Sequence, residues 1–162
     1  MSVSLGKVTV TMWSTLLVAL LLSVAPMPGH LDVGRPLWLA LVLTFWAINY
    51  PYYIGLLTAW SFGIAQDVLY GTPLGQHATA LTLIVFLVLT LQQRLKVFPL
   101  WQQSFALLVI YGLAQLVLLW LSTLSGMRPD LRFYSVPVGV SAFLWPWLYL
   151  LLDNVKRWRG FH

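Results

Sequence analysis

Six long runs of apolar residues, parted by short clusters rich in Pro, Gly and charged or amide side chains, organise this chain. They cover residues 8–25, 36–50, 52–70, 78–91, 104–124 and 135–152. Their length decides their identity, because crossing a hydrocarbon core of ~30 Å takes ~20 apolar residues at ~1.5 Å rise per residue. The breakers are Pro26 to Arg35, Pro51, the turn Gly71-Thr72-Pro73-Leu74-Gly75, Gln92 to Gln103, and Ser125 to Tyr134, each read as a loop. The pattern predicts an all-α fold, a single integral-membrane domain over residues 1–162 built as a compact bundle of about six transmembrane helices. Residues 153–162 form a basic tail.

Two runs carry alternatives. Pro36 to Tyr50 would reach only about 22 Å as a helix, so it reads as a short tilted span or as half of a re-entrant hairpin. The first run follows Lys7 and ends in Ser23-Val24-Ala25, a small-x-small pattern of the kind found at signal-peptide cleavage sites. It is longer than the usual h-region of ~7 to 15 residues, and Pro26 would follow the scissile bond, which favours a retained span.

Composition removes the soluble alternatives. Of the 162 residues, 60% are hydrophobic and 8% charged, against a usual charged fraction of ~25%. A water-soluble domain of this size could not solvate such a surface. Nine Trp among 15% aromatics suit a chain that meets the membrane–water interface repeatedly. The absence of cysteine rules out disulfide scaffolds, thiolate metal sites and Cys nucleophiles.

Charge supplies the orientation. With the six runs alternating across the bilayer and the amino terminus inside, the cytoplasmic segments hold Lys7, Arg94, Lys96, Lys156, Arg157 and Arg159. The outer segments hold Arg35, Arg128 and Arg132, balanced by Asp32, Asp67 and Asp130, so the net +5 falls on the inner face with Asp153. The bias of Lys and Arg towards the cytoplasm then places both termini there. Basic residues at span ends are what topology demands, which argues against nucleic acid as a partner. Arg94, Lys96, Lys156, Arg157 and Arg159 are candidates for anionic lipid, at roughly 1 kcal/mol each, or for a cytoplasmic partner.

Catalytic chemistry has little to stand on. No loop exceeds about a dozen residues, too few for a folded catalytic domain outside the bilayer. His30, His77 and His162 fall in separate segments without metal-ligand spacing, and no phosphate-binding, nucleophile-elbow or dinucleotide motif occurs. The four Asp never form a close pair able to share acid and base roles. No catalytic residue, metal or cofactor is assigned.

The third run is the informative one. Gly55, Ala59, Gly63, Asp67 and Gly71 recur at every fourth residue and draw a ridge of mostly small side chains along one helix face. In lipid, small residues matter because they let helix backbones approach and make dispersion contacts. Another helix should therefore cover this ridge, either from the same chain or, in part, from a second subunit in a homodimer. Asp67 is the only ionisable side chain inside an apolar run. A carboxylate at the bilayer centre costs about 2.5–3.5 kcal/mol on insertion scales and less nearer the ends, so Asp67 needs a partner. Arg35, Arg128 and the backbone N–H groups of the Gly71–Gly75 turn are the candidates, with pinning of that turn, partner binding and proton or substrate coupling as the roles. Pro146, between Trp145 and Trp147, should kink or locally unwind the sixth span.

These residues resemble a known family. Arg35-Pro36-x-Trp38, Phe45-Trp46 and Pro51 are followed by Gly63-x-x-x-Asp67-x-x-x-Gly71-x-x-Leu74-Gly75, then Leu100-Trp101-Gln102-Gln103, Arg128-Pro129 and Leu144-Trp145-Pro146-Trp147. In order and spacing, from about Trp13 to Trp158, they resemble the rod shape-determining MreD family, its proteobacterial branch most. Bulky Trp60 and Phe62 beside Gly63 are a departure. The resemblance implies a non-enzymatic inner-membrane component of the bacterial cell-elongation machinery. Its implied partners are an MreC-like bitopic protein and, in the same complex, MreB, RodA and a class B penicillin-binding transpeptidase that direct lateral peptidoglycan synthesis. Arg35, Gly63, Asp67, Gly71, Arg128 and Trp145 are the positions carried over by motif. The family is in turn similar in fold to the substrate-binding S components of energy-coupling-factor transporters, which keeps a small-molecule transporter subunit open as the alternative.

Overall fold

The computed structural model describes residues 5–26, 28–32 and 34–159. His162 and the rest of the tail from 160 onward lie outside the described residues, as does the side chain of Asp32. The helices are α1 (Leu5–Val24), α2 (Gly29–Asp32), α3 (Trp38–Asn49), α4 (Leu56–Tyr70), α5 (Gln76–Val97), α6 (Leu100–Leu124) and α7 (Arg132–Trp158). No strand occurs among the described residues. The chain is all-helical, and α1, α5, α6 and α7 are each long and apolar enough to cross a membrane.

The boundaries depart from the apolar runs where backbone chemistry overrides hydropathy. Gln92 to Gln103 is not a loop: α5 continues through Gln92, Gln93 and Arg94 to Val97, and α6 starts at Leu100. Gln and Arg are good helix formers, and the break waits for Pro99, which restricts Phe98 to extended backbone (φ −71°, ψ 140°). Conversely, the third run begins as a turn, Tyr53 N–H donating to Tyr50 O at 3.1 Å, and turns helical only after Gly55. Helix α7 runs unbroken through Pro137 and Pro146, so the unwinding expected at Pro146 does not occur. Its missing N–H removes a single ladder bond, and the fully buried Trp145 beside it anchors the segment.

Helix α3 is the centre of the bundle. Its 12 residues reach about 18 Å, and every residue from Leu39 to Ile48 is buried. A helix apolar on all sides has to be surrounded by others, and α1, α5 and α7 pack around this one. Its few polar groups are paired within the core. Thr44 Oγ1 lies 2.7 Å from the Tyr111 hydroxyl, Trp46 Nε1 donates to Thr15 Oγ1 at 2.9 Å, and Leu37 N–H donates to Ser141 Oγ at 2.8 Å.

Consecutive long helices alternate in direction. The carboxyl ends of α1, α4 and α6 therefore meet the amino ends of α3, α5 and α7. Tyr70 O–H and the Arg35 guanidinium both donate to the Ser23 carbonyl, Gln76 Nε2 donates to Ser125 Oγ at 3.3 Å, and the Ser122 and Tyr134 hydroxyls lie 2.9 Å apart. The outward faces of α6 and α7 are studded with exposed Trp101, Phe105, Trp120, Phe143 and Trp147.

Candidate functional site: the Asp67 clasp and the cavity beside it

Helix α4 stops at Tyr70 because Gly71 takes a left-handed backbone (φ +70°) and bends the chain back. Gly75 is left-handed too (φ +101°) and opens α5. This short turn lays α5 against α4 so closely that Gly63 faces the backbone of Ala78 directly. Trp60 and Phe62 do not obstruct the approach: Trp60 points outward, and Phe62 packs on Trp13 of α1 with ring centroids 5.6 Å apart.

One turn beyond Gly63, the carboxylate of Asp67 is fully buried and aimed at the amino terminus of α5. It accepts from the N–H of Gly75 (2.9 Å), His77 (3.0 Å) and Ala78 (3.5 Å), and from Thr72 Oγ1 (2.8 Å). His77 Nδ1 lies 2.8 Å from the same carboxylate. A carboxylate only accepts, so Nδ1 carries the proton and Nε2 of a neutral ring is left as an acceptor. Helix amino termini present unpaired N–H groups and a partial positive charge, which together stabilise an anion there. Asp67 therefore clasps α4 to α5. Neither Arg35 nor Arg128 is among its partners.

The other sequence candidates separate cleanly. Ala59, Gly63 and Asp67 are buried inside the chain, and at Gly63 the α5 backbone already fills the space a second subunit would need. Gly55 and Gly71, at the ends of the ridge, are exposed. Trp145, fully buried, donates from Nε1 to Gln103 Oε1 at 3.0 Å, while Gln103 Nε2 donates to the Leu95 and Phe98 carbonyls at 2.6 and 3.3 Å. That network ties α7 to the α5–α6 turn, at the opposite end of the bundle from Asp67. Pro146 is half-buried and Arg128 is exposed.

At the end of the bundle away from Asp67, Arg94 and Lys96 are exposed, Lys156 and Arg157 both pair with Asp153, and the Arg159 guanidinium sits over the Trp158 ring at 5.8 Å. In the connection between α6 and α7, Arg132 donates to Asp130 from its side chain and backbone, and these bonds hold the Asp130 carboxyl below the usual carboxylate range.

Beside the Asp67 clasp lies a cavity of about 540 Å³. Arg35, Gln66, Tyr70, Gln76, His77 and Gln115 give it polar walls. Sequence reasoning passed over Gln66 and Gln115, although amide side chains inside apolar runs were a visible signal. Among the described residues no three His, Asp or Glu gather as a metal site would require.

The comparisons with known proteins agree with this arrangement in extent. Residues 6–155 match the family described as rod shape-determining protein MreD. A rod shape-determining protein MreD of Haemophilus influenzae (strain ATCC 51907 / DSM 11121 / KW20 / Rd) is 30% identical over 151 residues, covering 91% of each chain. This chain belongs to the MreD family. Membership reaches from α1 nearly to the end of α7, so the clasp, the Trp145–Gln103 network and the cavity all lie inside the region that defines MreD. No solved structure matches the chain.

Proposed function

We propose that this MreD-family chain is a non-enzymatic scaffold of the bacterial inner membrane, acting in cell elongation and the maintenance of rod shape. It binds an MreC-like bitopic protein through lateral helix surfaces. Through that complex it works with MreB, RodA and a class B penicillin-binding transpeptidase in lateral peptidoglycan synthesis. Both termini are cytoplasmic, and the end carrying Asp67 and the 71–75 turn faces outward.

The observation that carries the reading is the state of Asp67. The one ionisable group within the apolar runs is buried and engaged by five donors of its own chain, which leaves it a structural part rather than a reacting one. The same economy holds at Trp145 and Gln103, whose polar atoms are spent on joining helices. What the chain offers outward is apolar and aromatic helix surface, suited to side-by-side contact with another span. The exposed Arg94 and Lys96 lean on anionic lipid at the inner face.

Depletion in the native host tests this. Loss of the chain should turn rods into spheres, and re-expression of the wild type should restore rods. Cells that stay rod-shaped after full depletion would overturn the proposal.

A further inference from the structure

The cavity beside Asp67 has features that a purely packed scaffold does not need. It lies where the connections at 34–37, 71–75 and 125–131 gather, and Arg35, Thr72 and Met127 contribute to its lining from them. On α5 it is lined from Gln76 down to Ile84, a depth of about 12 Å along the helix. Its volume of about 540 Å³ falls within the roughly 300–1,000 Å³ of pockets that take small molecules.

The walls are mostly apolar, with a few amides set into them. Gln66 is 8% exposed and its carboxamide has no hydrogen-bond partner among the described residues. Gln115 of α6 lines the same space, and its amide is likewise without a partner there. Gln76 commits Nε2 to Ser125, and its Oε1 has no hydrogen-bond partner among the described residues. Elsewhere in this bundle the core polar groups of Thr44, Trp46, Gln103 and Asp67 are satisfied internally. Amides set without a partner into a mostly apolar wall are costly unless something enters the cavity to pair with them.

The lining also selects among occupants. Among the described residues it includes no Asp or Glu, and its Arg35 guanidinium already donates to the Ser23 carbonyl. An alkyl chain would leave the Gln66 and Gln115 amides dry and unpaired. Each carboxamide presents a donor and an acceptor together. We infer that this cavity is a binding site for an uncharged small molecule, one that carries paired hydrogen-bond donors and acceptors, such as an amide, lactam or polyol, on a partly apolar body. Gln66 and Gln115 hold its polar edge, and Leu39, Ile84 and Leu118 cover its apolar face.

Native mass spectrometry of the full chain, extracted from its own membrane in a mild non-ionic detergent, tests the inference. The wild type should carry a discrete adduct lighter than a phospholipid. Gln66→Leu, which keeps the size and removes the amide, should lower its occupancy about tenfold. Ala114→Phe, which places a ring into the wall, should abolish it; where that variant does not unfold cooperatively, Gln66→Leu decides alone. A wild type free of adduct, adducts of phospholipid mass only, or an adduct held equally by Gln66→Leu would overturn the inference.

Discussion

A Cβ built on Gly63 would lie 2.2 Å from the Cα of Ala78 and 2.6 Å from its nitrogen. Both are backbone atoms with no rotamer by which to escape, so α4 and α5 must separate before any other residue fits. Gly63→Ala should cost about 1–3 kcal/mol or prevent folding. Gly55 belongs to the same four-residue ridge but has nothing within 4 Å of its would-be Cβ and an extended backbone (φ −111°, ψ 176°). Gly55→Ala should stay within about 0.5 kcal/mol of wild type. Unfolding titrations in detergent compare the two, and equal effects would refute the close helix approach.

Removing the Asp67 carboxylate leaves the Gly75, His77 and Ala78 N–H groups without their acceptor. Asp67→Ala should destabilise by about 3 kcal/mol, given about 1.5–3 kcal/mol for hydrogen bonds to a charged group. Asp67→Asn should lose about half of that, since one oxygen survives while the new NH2 group meets other donors. Amide hydrogen exchange should accelerate first at His77 and Ala78. Unchanged protection there would mean that Asp67 does not cap α5.

At the opposite end, Trp145→Phe keeps an aromatic ring in place but orphans the buried Gln103 Oε1. The expected loss is about 1–3 kcal/mol. Because the two side chains share one bond, the Trp145→Phe/Gln103→Leu double variant should cost less than the sum of the single ones. Strict additivity would show that the bond contributes nothing.

Orientation is open to direct chemistry because the chain has no native cysteine. A Cys at the exposed Met127 should react with a membrane-impermeant maleimide in spheroplasts, and a Cys at the exposed Arg94 only after permeabilisation. The inverted pattern would reverse the topology drawn from the positive-inside bias.

The helices were legible because lipid demands long apolar runs, Gly63 stood out as a small residue at the four-residue spacing that lets helices approach, and Asp67 because a carboxylate is costly in that medium. The turn Gly71–Gly75 was correctly among the sources of partners for Asp67, through Thr72 and Gly75, and further donors lie beyond it at His77 and Ala78. Hydropathy could not show that α3 is wrapped by protein rather than lipid, because Leu, Val and Phe suit either surrounding. Helix ends were misread at Gln92 and Tyr52, where propensity and proline govern rather than polarity. Gln66 and Gln115 were passed over because an uncharged amide disturbs a hydropathy profile less than a carboxylate, while their convergence is purely three-dimensional.

The most direct test of the scaffold account is affinity purification of the tagged chain from native membranes under mild detergent. The account predicts stable recovery of an MreC-like single-span protein. Recovery with an ATPase module in place of that protein, or with no membrane partner at all, would contradict it.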